Sequence, residues 1–394
     1  MTYRRLPWRL RVGLVTVPAA AAMFAAVALS PAPGESPMPQ LSPATETRCL
    51  PIEPITSVDD LNQLVTKVRG SSEFQGADVG ADVTLQDGRR LWVFGDTLRA
   101  ADFDGQRFVR NSMLVFQDTC AAVVVPADHG ALIPDRKDGV GYWPMSIAKV
   151  ERKGYDLVGI GAQRVRGNGQ DAHPDGTATF DNLGPATALF IVPRGKTPQL
   201  LEVHDIGPDT SGTTRTAWGA ASAVNDGWVY LYGTANPQKD LVFGFSLQVA
   251  RVRPDDILTT SRWRYWDGTR WQKSASRADV LIPAAGGVSQ TLSVFEQDGR
   301  WYAVSKRDEF LGTDLVVWSA PGPTGPFMAG PSLAKIPSDT RGGTLRYMPL
   351  AHPDLLPEPG TVVVSYSQND TDAAKIGRNP FLYRPRFLRV DLPR

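Results

Sequence analysis

Three observations predict an all-β chain folded as a five-bladed β-propeller with one short N-terminal helix. Short runs of Val, Leu, Trp, Tyr and Phe are punctuated by Gly, Asp and Pro; no helical period is sustained beyond residue 70; and a strand–turn–strand pattern recurs five times. The repeats read ADVTLQDGRRLWVFGDT, SIAKVERKGYDLVGIGA, SAVNDGWVYLYGTA, LSVFEQDGRWYAVSKRDE and LLPEPGTVVVSYSQND, turning at Gly88, Gly154, Gly227, Gly299 and Gly360. These are hairpin signals. The turn glycines are separated by 66, 73, 72 and 61 residues, which leaves room for two more strands in each unit and so for five four-stranded blades. A large double sandwich is the competing all-β arrangement, but it does not require hairpins at even spacing, and radial closure also removes exposed strand edges.

The helix precedes the repeats. Ser57 with Asp60 makes a capping-box start, Leu61, Leu64, Val65 and Val68 form one apolar stripe, and Gly70 is placed to stop it. Earlier still, Arg4, Arg5, Arg9 and Arg11 precede an uncharged run from Val12 to Leu29 and a small-residue exit through Ser30 and Pro31. Residues 1–31 therefore read as a signal peptide or membrane anchor. The Pro/Ser/Thr-rich stretch 32–46 reads as a linker, and 47–394 as a single β-propeller domain. This order places the domain outside the cytoplasmic membrane, secreted or associated with the cell envelope, with an uncleaved N-terminal segment as its only membrane attachment. In that oxidising setting the two cysteines, Cys49 and Cys120, read as one disulfide.

Charge and motifs exclude several classes. With 42 Lys+Arg against 41 Asp+Glu, there is no basic field for nucleic acid. Gly195-Lys196-Thr197 ends like a phosphate loop, but Phe190 stands where the first glycine belongs and Pro198 follows, so no nucleotide partner is expected. No G-x-S-x-G elbow occurs. His129, His173, His204 and His352 lack the spacing of a zinc site, so no metal and no cofactor are assigned; calcium on carboxylates and carbonyls stays open.

Candidate chemistry lies at one end of the hairpins. A turn at Asp87-Gly88 sets Asp78 opposite Asp96 or Thr97, bringing two carboxyls together. Paired carboxyls in a pocket suit glycoside hydrolysis, one protonating the leaving oxygen and the other acting as base or nucleophile. The same offset after later turns reaches Asp308, Glu309 and Asn369, which are candidate substrate-binding residues together with the aromatics Trp143, Trp218 and Tyr347 near first strands. The bland readings are that Asp96 caps a turn, that Asp308 and Glu309 lie on a solvated loop, and that the aromatics fill the core.

The stretches GADVGADVTLQDGRRLWVFGDT, RNSMLVF, WGAASAVNDGWVYLYGT, ILTTSRWRYWDGTRW, DEFLGTDLVVWSAPGPTGPF and YMPLAHPDLLPEPGTVVVSYSQN resemble the bacterial secreted family catalogued as domain of unknown function 4185. That family is similar in layout to five-bladed propeller glycosidases of furanose sugars. Some members are endo-D-arabinanases, so the resemblance implies cleavage of cell-wall polysaccharide, the D-arabinan of arabinogalactan or lipoarabinomannan, by Asp78 and Asp96. The chain departs from the expected pattern at Ala77-Asp78-Val79, where a more polar, Gly-rich surround is expected. Two other functions fit the same fold: a non-catalytic glycan-binding propeller, marked by a single isolated carboxylate, and a structural envelope protein, marked by an apolar patch at the mouth.

Overall fold

The computed structural model describes residues 43–167, 180–339 and 341–393. The leader, the linker up to residue 42 and His173 lie outside the described residues. Five antiparallel sheets follow one another along the chain. Their innermost strands are Gly76–Thr84, Gly141–Arg152, Ala217–Asn225, Ser293–Gln297 and Thr344–His352. Each touches the next and the last returns to the first, which closes a propeller. A cavity of about 130 Å³ on the axis is lined from all five, by Asp82, Ser146, Ser222, Ser293 and Ala351 among others.

The five predicted turn glycines all adopt left-handed backbone, with φ between 71° and 89°. This is the conformation that tight hairpin turns demand and that a Cβ disfavours. The sheets hold seven, four, five, four and three strands. Four blades are thus complete, and the expectation of five four-stranded blades is corrected: the fifth sheet lacks its outer strand. A helix takes that place. α1 (Val58–Lys67) packs on the edge strand Arg386–Asp391, and Asn62 meets the backbone of Phe387 twice, Nδ2 donating to its carbonyl at 2.9 Å and Oδ1 accepting from its N–H at 3.0 Å. Arg384 adds bonds to the carbonyls of Val65 and Val68 at 3.3 and 2.7 Å, where the helix end carries partial negative charge.

α1 begins as predicted, with Ser57 Oγ accepting from Asp60 N at 3.1 Å and Asp60 Oδ2 accepting from Ser57 N at 2.9 Å. It ends at Val68 in extended conformation, before Gly70. Gly70 is instead a point of close approach, because a Cβ there would stand 1.9 Å from the carbonyl oxygen of Phe74. Ala44–Glu46, counted with the linker in the sequence, is a strand of the first sheet paired with Val124–Pro126. Cys49 and Cys120 form a disulfide that ties this entry segment to the strand Cys120–Pro126. Closing a loop with a sequence separation of 71 is worth about 4 kcal/mol of denatured-chain entropy.

Between successive sheets lie apolar clusters. Val93, Met113, Ile160 and Phe190 join the first and second sheets, and Tyr232, Leu247, Ala303 and Val316 the third and fourth, all nearly inaccessible. Each such large side chain contributes about 1.5–3 kcal/mol by leaving water. Asp82 and His352 join the first and last sheets, Nδ1 lying 2.5 Å from Oδ1, with His352 Nε2 2.8 Å from Ser365 Oγ. His352 is thus the packing residue that its isolated position in the sequence suggested. No helix among the described residues is long and apolar enough to cross a membrane.

Candidate active site

A β-bulge builds the site. In the first hairpin Ala77 faces Thr97 and Val79 faces Phe94, so Asp78 alone opposes both Gly95 and Asp96. The extra residue turns the Asp96 side chain toward the mouth. Val79 and Gly80 follow in left-handed backbone, φ 65° and 87°. For a β-branched residue this is strained, and it is held by Ser367, whose Oγ accepts from Val79 N at 3.0 Å. Across the bulge Thr97 donates its hydroxyl to Gly95 O at 2.8 Å and lies 2.7 Å from Ser112 Oγ. A Cβ at Gly95 would come within 2.4 Å of Asp78 Oδ1, so any larger residue there displaces the Asp78 carboxyl.

The register also shifts on three other innermost strands, between Pro144 and Ser146, Trp218 and Ala221, and Tyr347 and Leu350, and there the extra residues lie on the innermost strand itself. Trp218 and Tyr347 are the last paired residues before their shifts, and Trp143 stands one residue before Pro144 at its own. Two of them reach the acids. Tyr347 donates its hydroxyl to Asp78 Oδ2 at 2.7 Å, and Trp143 donates its indole N–H to Asp96 Oδ1 at 2.7 Å. Trp143 also packs edge-on against Phe180, at 4.3 Å between centroids, whose ring is 43% exposed and so free to stack on a ligand. Trp218 is buried, leaning on Tyr265 at 5.0 Å, and forms the floor of a neighbouring cleft. Asn369 donates to Tyr347 Oη at 3.4 Å.

Burial raises both carboxyls. Asp78 is pushed up to about 6 by loss of water, against the pull of the Tyr347 and Tyr383 hydroxyls. Asp96 is pushed up to about 7, first by burial and then by the Asp78 charge, against the Trp143 N–H and the Arg110 guanidinium; Asp135 pushes it further up. Two carboxyls that oppose each other's ionisation hold one proton between them near neutral pH.

Asp308 and Glu309 lie at the mouth end of the fourth sheet and make backbone contacts there. Asp308 Oδ1 accepts from Gly286 N at 3.0 Å, and Glu309 Oε2 accepts from Gln290 N at 2.7 Å. Burial pushes Glu309 up to about 7. Lys306, pushed down to about 8 by burial, donates to Arg346 O at 2.7 Å and so anchors the residue before Tyr347. The sequence reading missed Tyr383, whose hydroxyl donates to Asp96 O at 2.8 Å. It follows a one-turn 3-10 helix outside every hairpin repeat, where no periodic signal marks it. Arg110, in the RNSMLVF stretch, acts on the site through its charge, which pulls the Asp96 pKa down, and no local motif marks it. Among the described residues no group of three or more His, Cys, Asp or Glu is arranged to hold a metal ion.

The molecule is thus an all-β propeller whose mouth presents a half-buried carboxyl pair between aromatic walls. The chain belongs to the family described as Domain of unknown function (DUF5005), whose model matches residues 59–392. No curated protein matches it. Among solved structures it is similar to a putative hydrolase from Bacteroides ovatus ATCC 8483, at 19% identity and TM-score 0.58, covering 84% of this chain and 88% of the other. It also aligns with a GH43_1 enzyme from Xanthomonas citri, at 13% identity and TM-score 0.43, over 86% and 97% of the two chains. A GH43 β-xylosidase/α-arabinofuranosidase from a compost microbial metagenome aligns at 12% identity and TM-score 0.43, over 89% and 96%. At these identities the likeness concerns the fold.

Proposed function

We propose that this chain is a glycoside hydrolase, working outside the cytoplasmic membrane on furanose-containing cell-wall polysaccharide, with the D-arabinan of arabinogalactan or lipoarabinomannan as its substrate. The observation that carries the reading is the bulge that sets Asp78 against Asp96 and lifts both carboxyls toward neutral pH. Asp96, the higher of the two, is the acid: its proton passes to the glycosidic oxygen as the bond to the anomeric carbon breaks. Asp78, whose ionised form the Tyr347 hydroxyl favours, is the anionic partner. It takes a proton from an attacking water in an inverting reaction, or bonds to the anomeric carbon itself in a retaining one. Trp143, Phe180 and Tyr347 offer faces for sugar rings. The Cys49–Cys120 disulfide supports an oxidising compartment.

The test is incubation with purified arabinogalactan, following released oligosaccharides, beside Asp78→Asn and Asp96→Asn. Release by the parent and loss in both variants is expected. A parent that retains the polymer in a pull-down yet releases nothing would replace the enzyme with a glycan-binding propeller.

A further inference from the structure

α1 stands in for the outer strand of the fifth sheet, but it does not fill the space against the first sheet. A cavity of about 260 Å³ remains between them. Protein interiors seldom leave voids much larger than a water molecule. Arg90, Trp92 and Phe94, alternate residues of one strand, share its wall, so it runs about 13 Å along that strand. At about 30 Å³ for a water-sized group, it holds roughly eight or nine such groups. Its apolar surface is open to a guest: Leu64, Val65 and Val68 of the helix, with Phe74, Leu114 and Phe116, all line it and are only half-buried.

Two polar groups break this lining near Phe94, where Phe74 packs at 5.0 Å between ring centroids. Arg384 is 5% exposed. Its Nε donates to Gln75 O at 2.7 Å, its Nη1 donates to the helix-end carbonyls of Val65 and Val68, and the guanidinium stacks on Phe381 at 4.7 Å. Its Nη2 has no hydrogen-bond partner, and neither has Ser71 Oγ; both atoms are buried. They are neighbours, because a Cβ on Gly70, the residue before Ser71, would lie 3.3 Å from Nη2. Burial, then the Arg386 charge, pushes Arg384 down to about 10, and no carboxylate among the described residues pairs with it. A buried cation in this condition is costly until an anion meets it. At the other end Arg90 is already paired with Asp82, and Asp118 there repels an anion.

We infer that this cavity binds a medium-chain fatty acid, its tail lying between α1 and the half-buried Leu114 and Phe116, its carboxylate met by Arg384 Nη2 and Ser71 Oγ. An elongated apolar space ending at one unpaired cation and one free hydroxyl matches that amphiphile in shape and in charge. Neither Asp78 nor Asp96 lines the cavity, so the site is separate from the acid pair and stands without the hydrolase reading.

The experiment titrates the full chain by calorimetry with decanoate below its micelle concentration, with decanol, and with acetate. Decanoate is expected to bind at least tenfold more tightly than decanol, and acetate not at all. Leu64→Trp, which fills the cavity from the helix side, abolishes binding of decanoate and decanol alike. Arg384→Met and Ser71→Ala weaken decanoate toward decanol and leave decanol unchanged. Arg384 also holds the helix end, so Ser71→Ala decides the head-group contact if Arg384→Met fails to fold. No decanoate binding, equal affinity for decanoate and decanol, or binding that survives Leu64→Trp overturns the inference.

Discussion

Replacing Asp96 with Asn should make the protein more stable, and only above mildly acidic pH. The carboxyl sits at an ordinary 3.8 in an unfolded chain and is raised to about 7 in the folded one, chiefly by burial and then by the Asp78 charge. A raised carboxyl costs nothing below its unfolded value, where it is protonated in both states. The cost grows as pH climbs through the interval, because the unfolded chain ionises freely while the folded one does not. At about 1.4 kcal/mol for each pH unit, the full interval is worth about 4 kcal/mol. Access of water to the mouth reduces that to about 2. Asn cannot ionise, still accepts from the Trp143 indole, and relieves Asp78 of a neighbouring charge. Urea unfolding of parent and variant at pH 4 and pH 8 measures the difference directly. Near equality at pH 4 and a variant more stable by about 2 kcal/mol at pH 8 are expected. An equal difference at both pH values would refute the buried-charge account of this site.

Two further outcomes follow from named bonds. Tyr347→Phe removes the 2.7 Å hydroxyl donor from Asp78; a bond to a charged group is worth about 1.5–3 kcal/mol, so the Asp78 pKa should climb from about 6 by roughly one pH unit or more, read as an upward move of the acid limb of the activity profile. An unmoved limb in a folded variant would contradict the assignment of Asp78 as the ionised partner. Asn62→Ala leaves the Phe387 backbone without either of its side-chain partners and should cost about 1–3 kcal/mol, seen as a lower urea midpoint with fastest hydrogen exchange gained in Arg386–Asp391.

Much of the architecture is legible because it is local. A left-handed turn residue favours glycine where a two-strand unit reverses tightly, so Gly88, Gly154, Gly227, Gly299 and Gly360 announce themselves at even intervals. The capping box at Ser57 and the pairing of Asp78 with the Gly95–Asp96 step are local in the same sense. What escapes is whatever depends on meeting across the ring. The sequence does not reveal that Asn62 substitutes for a strand at the last sheet, since its partner is a backbone. Nor does it reveal Tyr383, whose value lies entirely in the residues opposite it. Trp218 shows the limit from the other side: it stands near the mouth end of a first strand, yet it is 5% exposed and packs against Tyr265 in the core.

The helix that finishes the last sheet has a consequence for the order of events in making this protein. Asn62 and Phe387 are 325 residues apart, yet each bond between them satisfies an edge that otherwise stands open. Until the last strand has emerged, the helix has no sheet to cover and the first sheet has no neighbour on one flank. Completion of the circle is therefore coupled to the last strand: a polypeptide that has not yet delivered Arg386–Asp391 lacks the joint between helix and sheet, and locking follows the arrival of that strand.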